Sequence, residues 1–242
     1  MHSPIIVLFD LDGVILTQKA LEYTALIYLK NKWYNWQNIE NLRLIDFARY
    51  FEEADSENRL KALREVNKMY KSFIPNIIKR QLFFIRFRQS YRKYEKIYEK
   101  LNPQIKFISA KFKKNGIVSG IVSNTSRERL NFYKNKFQLD KYFSVFLSRD
   151  DTIFRKPHAY PIFLALKEIK KSSKLPIDLK KVYYVGDLPT DIMCAKNANV
   201  NSIALLSGHG TTDQLKDSKP DFILETLEDL LKIEPLKKLL LN

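Results

Sequence analysis

Five consecutive apolar residues, Ile5 to Phe9, run into two aspartates one residue apart and then a glycine, in the order IIVLFDLDGV. An unbroken run of this kind, bounded by turn-forming residues, predicts a strand buried on both faces. From Val14 to about Leu101 the rhythm becomes helical. ALEYTALIYLKNKWYNW is rich in apolar residues, and SENRLKALREVNKMYKSFI is amphipathic. Phe83, Phe87, Tyr91, Tyr94, Tyr98 and Leu101 then recur three or four residues apart, as a helix stripe. That spacing predicts core packing in preference to a platform for stacked bases. Asn102-Pro103 interrupts the helix, because proline disfavours helical backbone in the residue before it.

Beyond Pro103, helices and strands alternate. The helix QIKFISAKFKKNG closes at Gly116, the strand IVSGIVS follows, and Thr125-Ser126-Arg127-Glu128 reads as the capping box of the next helix. KYFSVFLS predicts a strand, YPIFLALKEIKK a helix, KVYYVGD a strand and PTDIMCAKNA a helix. NSIALLS and DFIL complete the strands, and a last helix begins at Glu225. This alternation predicts an α/β fold, a Rossmann-like parallel sheet with helices on both faces. The helical block after the first strand is too long for a crossover. It predicts an inserted all-helical unit over residues 17–102, with residues 1–16 and 103–242 forming the core.

Composition narrows the class. The chain has 242 residues, 45% of them hydrophobic and 29% charged, as in ordinary globular proteins. No apolar stretch approaches the roughly 20 residues a membrane helix needs. MHSPIIVLFDLDG lacks the basic leader of a signal peptide, and the lone Cys194 excludes an internal disulfide. Both features predict a cytoplasmic protein, and Cys194 itself reads as a packing residue. The net charge of +15 asks for an anionic partner or substrate. It concentrates between Lys79 and Lys114, where twelve Lys/Arg face two Glu. Nucleic acid is one reading of that block, but no nucleic-acid motif accompanies it. A solvated basic helix face is the plainer reading.

In a parallel α/β sheet, ligands bind beyond the carboxyl ends of the strands. The first strand ends at Asp10, Asp12 and Gly13, and IVSGIVS ends at Ser123-Asn124. KVYYV ends at Gly186-Asp187 with Asp191 four residues on, and Lys156-Pro157 lies in a loop before a helix. Clustered carboxylates call for a hard cation with oxygen ligands, and magnesium suits phosphate chemistry. A hydroxyl, an ammonium and free amides at a helix N-terminus suit a phosphate group. An aspartate near both can attack phosphorus. Asp12, two residues on from Asp10, shares its side of an extended chain and can carry a proton to or from the reacting oxygens.

The order FDLDGV, IVSNTS, RKP and VYYVGDLPTDIMCAKNANV resembles the haloacid dehalogenase (HAD) superfamily of hydrolases. The likeness is strongest to the phosphoglycolate phosphatase-like branch, which carries a helical cap after the first motif. The resemblance implies a magnesium-dependent phosphohydrolase of a small phosphorylated metabolite, working through an aspartyl-phosphate. Asp10 would be the nucleophile and Asp12 the general acid/base. Ser123, the Asn124 amide and Lys156 would hold the phosphoryl group. Asp10, Asp187 and the Asp12 carbonyl would hold Mg2+, and Asp191 would do so through water or orient its neighbours. Relatives often read Lys-Pro-x-Pro, whereas here Ala159 follows His158 and the next proline is Pro161. Asn199 stands where relatives carry glycine, so a left-handed backbone is expected there.

Within the superfamily, dehalogenases lack the second acid, so Asp12 argues against them. Sugar phosphate mutases carry a cap histidine where this chain has Glu22. Another phosphotransferase of the superfamily, or a basic nucleic-acid-binding protein on this fold, is the remaining alternative. Arg86, Arg88 and Arg92 are candidates for a distal anion of the substrate. The SGHG loop, Ser207 to Gly210, receives no catalytic role. His2, His158 and His209 are too scattered to read as a metal cluster, and His158, near Lys156, is the one to test.

Overall fold

The computed structural model describes residues 3–17, 19–42, 46–47, 59–234 and 236–237. The chain divides into two compact units, Met1–Thr17 with Leu101–Asn242, and Gln18–Lys100. His2 and the SENR start of one predicted helix lie at or beyond the edge of the described residues, and His2 is outside them.

The first unit is built on a parallel sheet of six strands. They are β1 (Ile6–Phe9), β2 (Val118–Val122), β3 (Val145–Leu147), β4 (Val182–Gly186), β5 (Asn201–Leu205) and β6 (Phe222–Leu224). Their order across the sheet is β3-β2-β1-β4-β5-β6. β1 therefore lies between β2 and β4, with Ile6 opposite Val118 on one side and Val182 on the other. All four β1 residues are buried, as the unbroken apolar run requires. Val7 and Phe9 pack into one layer with Ile105, Ile108, Phe112 and Leu130, while Ile6 and Leu8 pack into the other with Ile162, Ala165 and Cys194. Alternation along one strand thus feeds two cores.

The two layers are covered by helices between the strands. In the second unit lie α1 (Lys19–Leu29), α2 (Arg59–Tyr70) and α3 (Ile77–Tyr98). The first unit adds α4 (Gln104–Lys114), α5 (Arg127–Phe137), α6 (Tyr160–Ser173), α7 (Pro189–Asn197) and α8 (Thr212–Asp217). Gly116 follows α4 at φ 65°, and Asn199 follows α7 at φ 54°, the left-handed backbone expected of it. Pro161 sits in the first turn of α6, where its missing N–H costs nothing. Cys194 is fully buried in α7, and burial pushes its thiol up to about 12, so it is an inert packing group.

Three elements differ from the pattern-based expectation. The cap of α5 is Ser126, whose hydroxyl accepts from Arg129 N at 3.3 Å, so Arg129 and not an acid occupies the third helical position. After β6 the chain winds as a 3₁₀ helix, Leu227–Lys232. Leu101 leaves the helix and bridges Leu16, while Asn102 donates to the Val14 carbonyl at 3.1 Å. Pro103 forbids the helix that the aromatic stripe would have continued.

The helical unit has an aromatic core of its own. Tyr34, Phe47, Tyr70, Phe83 and Phe87 are buried, with Phe83 and Phe87 rings 5.2 Å apart. The lower stripe of α3 is core as its spacing predicts, whereas Tyr91, Tyr94 and Tyr98 are half-buried. Asn76 caps α3 by accepting from Lys79 N at 3.0 Å. Arg86 and Arg92 are exposed and Arg88 is half-buried. Arg86 lies over the Trp33 ring at 5.7 Å. Among the described residues, no helix is long and apolar enough to cross a membrane.

Candidate active site

The neighbouring strands β1, β2 and β4 bring four polar groups to one rim of the sheet. Asp10 is the first residue beyond β1, and its N–H still donates to the Val185 carbonyl of β4 at 2.9 Å. Its carboxylate is buried and accepts from Lys156 Nζ at 2.7 Å. Lys156 also donates to Asp191 Oδ1 at 2.6 Å. The other Asp191 oxygen accepts the backbone N–H groups of Asp187 at 3.2 Å and Leu188 at 3.0 Å, which ties it to the start of α7. Asp10, Asp187 and Asp191 each offer an oxygen within 4.8 Å of the others.

Lys156 is held by more than its carboxylates. Asn124 accepts from Lys156 N at 3.0 Å and donates to Lys156 O at 3.1 Å, a reciprocal clamp on its main chain. The Tyr184 ring lies 5.6 Å from the ammonium and is pinned by a 2.7 Å bond to the Val122 carbonyl. Ser123 is buried just beyond β2, with its N–H on the Leu147 carbonyl and its hydroxyl accepting from Thr125 N at 3.2 Å. His158 is not part of this group. Its Nδ1 accepts from Tyr160 N at 3.0 Å and its ring stacks on Phe154.

One lysine bonds two of the three carboxylates, Asp10 and Asp191, so the cluster holds more acids than the lysine can offset. Left to the protein groups alone, burial pushes Asp10 up to about 6 against the opposing pull of Lys156. Burial would lower Lys156, but Asp10 and Asp191 outweigh it and raise the lysine well above its ordinary value. The ammonium is therefore charged.

Asp187 shows whether a cation fits. One of its oxygens accepts from His209 N at 2.6 Å and lies 2.9 Å from His209 Nδ1. The other, Oδ1, is buried with no hydrogen-bond partner. An orphaned carboxylate oxygen inside a three-acid cluster is a costly arrangement that a hard cation relieves. The chain also makes room around this group. Gly13 has φ 71°, and a Cβ there would lie 2.0 Å from Asp187 Oδ2. At Gly208 a Cβ would meet the Asp187 Cβ at 2.1 Å. The acidic donor set and the orphaned oxygen fit a divalent metal.

Asp12 is placed differently. Its side chain is 34% exposed and is held by Arg129, with Nη1 at 2.6 Å from Oδ2 and Nη2 at 2.7 Å from Oδ1. Burial alone would raise its pKa, but the guanidinium prevails and holds the carboxyl below its usual range.

Arg129 and His209 were not singled out as site residues from the sequence. The signal available for Arg129 was a cation one helical turn past the Ser123-Asn124 strand end. For His209 it was a side chain flanked by glycines in the SGHG loop. Because His209 fixes one Asp187 oxygen and leaves the other free, His209→Ala should weaken divalent-cation binding by about 10- to 100-fold. Calorimetric titration with Mg2+ measures this, and an unchanged affinity would remove His209 from the site.

The sheet order and the acid cluster at its rim define a class, and sequence comparison agrees on it. The family model for haloacid dehalogenase-like hydrolases matches residues 7–205, and the chain belongs to that family. Over 227 residues, 94% of this chain and 93% of its relative, it is 30% identical to a candidate pyrophosphatase, PpaX, of Caldanaerobacter subterraneus. A phosphoglycolate phosphatase of Yersinia pestis is 31% identical over 131 residues, 54% of either chain. A crystal structure described as a predicted phosphoglycolate phosphatase from Haemophilus somnus aligns with a TM-score of 0.68. That alignment covers 96% of this chain and 98% of the other at 21% identity, a likeness of fold.

Proposed function

We propose that the chain is a magnesium-dependent phosphatase of small phosphorylated metabolites, working through an aspartyl-phosphate on Asp10. The observation that carries this reading is the buried Asp10 carboxylate, held 2.7 Å from Lys156 within a three-acid cluster at the strand ends. Asp10 attacks phosphorus, and the bond from phosphorus to the leaving oxygen breaks. Asp12, which takes up a proton from solvent as it leaves Arg129, gives that proton to the leaving oxygen, then takes one from the water that splits the acyl phosphate and releases inorganic phosphate. Lys156, the Ser123 hydroxyl and the Asn124 N–H hold the phosphoryl oxygens. Asn124 has a second task, since its side chain sets the main chain of Lys156.

Asp10, Asp187 and the Asp12 carbonyl are the groups assigned to Mg2+. Both Asp191 oxygens are already engaged, which suits an orienting role or a contact through water. When bound, the cation supplies positive charge to the phosphoryl oxygens. The helical unit Gln18–Lys100 is assigned the cap role that selects the substrate, and the chain is assigned to the cytoplasm.

The relatives' names make pyrophosphate and phosphoglycolate the first compounds to test. A screen of phosphorylated metabolites with Mg2+ should find turnover of at least one of them and of an aryl phosphate, with loss of both on chelation. Full activity after chelation would refute the metal assignment. Silence across the panel would refute the phosphatase reading.

A further inference from the structure

Tyr184 lies in β4, fully buried, in the same layer as Ile6, Leu8 and Val122. Leucine or phenylalanine would fill that space without burying a hydroxyl, which costs free energy unless it is bonded. This hydroxyl is bonded, donating to the Val122 carbonyl at 2.7 Å. Val122 is the last residue of β2, and β1 lies between β2 and β4. The side chain therefore crosses β1 close to Asp10 and ties together the two strands that flank it.

The same ring carries the catalytic-loop lysine. Lys156 Nζ lies 5.6 Å from the ring centre, inside the ~6 Å reach of a cation over an aromatic face. Two of the three ammonium donors go to Asp10 and Asp191. The ring limits where the third can point.

These contacts close a circuit. From the Tyr184 hydroxyl it runs through Val122 and Ser123 to Asn124. It crosses by the Asn124 side chain to the Lys156 main chain, at 3.0 and 3.1 Å, and returns along the lysine to the ring. The groups assigned to the phosphoryl oxygens, the Ser123 hydroxyl, the Asn124 N–H and the Lys156 ammonium, all stand on this circuit. Asp187 and the Asp12 carbonyl, assigned to Mg2+, do not.

We infer that Tyr184 is a positioning residue for phosphoryl transfer, whose ring and hydroxyl together hold Lys156 and the Ser123-Asn124 strand end at the spacing of one phosphate group. It touches no reacting atom. Its effect comes through the placement of groups that do, where an error of about 1 Å can cost about 100-fold in rate. The inference rests on the phosphatase reading, and it adds the buried part that sets the grip on phosphate independently of the metal.

The test is a pair of substitutions read by two affinities and by rate. Tyr184→Phe keeps the ring and removes only the hydroxyl. Its calorimetric affinity for inorganic phosphate in saturating Mg2+, and its kcat/KM for p-nitrophenyl phosphate, should each fall about 5- to 10-fold, the worth of one buried hydrogen bond. Its affinity for Mg2+ alone should be unchanged. Tyr184→Leu also takes the ring from the ammonium, and kcat/KM should fall about 100-fold.

A side chain that only fills the core would lower Tm in both variants and leave both affinities and kcat/KM of the folded protein as they were. That outcome overturns the inference. So does an equal loss of phosphate and Mg2+ affinity in Tyr184→Phe, the mark of general distortion. Should leucine disturb the fold, the phenylalanine variant decides the matter alone. Turnover of p-nitrophenyl phosphate by the unmodified enzyme tests the phosphatase reading separately: without it that reading fails, whereas turnover and phosphate affinity untouched by Tyr184→Phe defeat the inference alone.

Discussion

Asp10→Asn should abolish turnover of a generic aryl phosphate, with a loss on the order of 10⁴-fold or more. The amide is nearly isosteric with the carboxylate, so β1 and its pairing with β4 through the Asp10 N–H should survive. Lys156 keeps its 2.6 Å partner in Asp191, which leaves the loop anchored. The variant should therefore fold and bind substrate without converting it. Trapping the phosphorylated enzyme by mass spectrometry makes the prediction sharper: the unmodified protein acquires a phosphoryl group on Asp10 and the variant acquires none. Retained turnover in a folded Asp10→Asn protein would end the nucleophile assignment.

Lys156→Met should have the largest effect on stability. Among the described residues, it removes the only lysine bonded to Asp10 and Asp191, both buried. Leaving buried charges uncompensated costs about 3–5 kcal/mol, which lowers Tm by on the order of 10 °C for a unit of this size. The sign of the pH dependence follows from Asp10. Its folded-state pKa is already raised to about 6, so the folded protein binds more protons than the unfolded chain below that value. In the variant, protonation relieves the repulsion, and the deficit should shrink from pH 8 toward pH 5. A divalent cation should restore part of the lost stability at pH 8 by replacing the missing positive charge. Thermal melts of the two proteins across that range, with and without Mg2+, check both statements. A deficit that grows toward pH 5 would show that Lys156 compensates something other than these acids.

The architecture was legible because parallel strands announce themselves. IIVLF, VYYV and IALL are apolar throughout, and a sheet covered on both faces buries such a run. Their carboxyl ends share one rim whatever the distance along the chain, so Asp10, Lys156, Asp187 and Asp191 could be grouped before any coordinates. What could not be read depends on paths through space. Arg129 reads as an ordinary first-turn residue until the loop after β1 carries Asp12 to it. His209 reads as a turn residue until Gly13 and Gly208 clear the space in which Asp187 meets it. The Asn124 side chain was passed over because its partner is main chain, which carries no sequence signal. Leu101 was misplaced for a local reason, since its spacing continues a helix that Pro103 does not allow.

The central place of β1 sets the timing of assembly. Ile6 has no strand partner until Val118 is made, and its second, Val182, is 176 residues further on. At ~5–20 residues per second, that wait lasts about 10–35 s during synthesis. Throughout it, five consecutive apolar residues of high strand propensity lack one or both of their neighbours. Segments of this kind are aggregation hazards, and charged neighbours restrain them. Asp10 and Asp12 stand against the end of the run and carry negative charge while the chain is unfolded. The two carboxylates thus guard the nascent strand against association with its own kind, long before the sheet exists to give them chemistry.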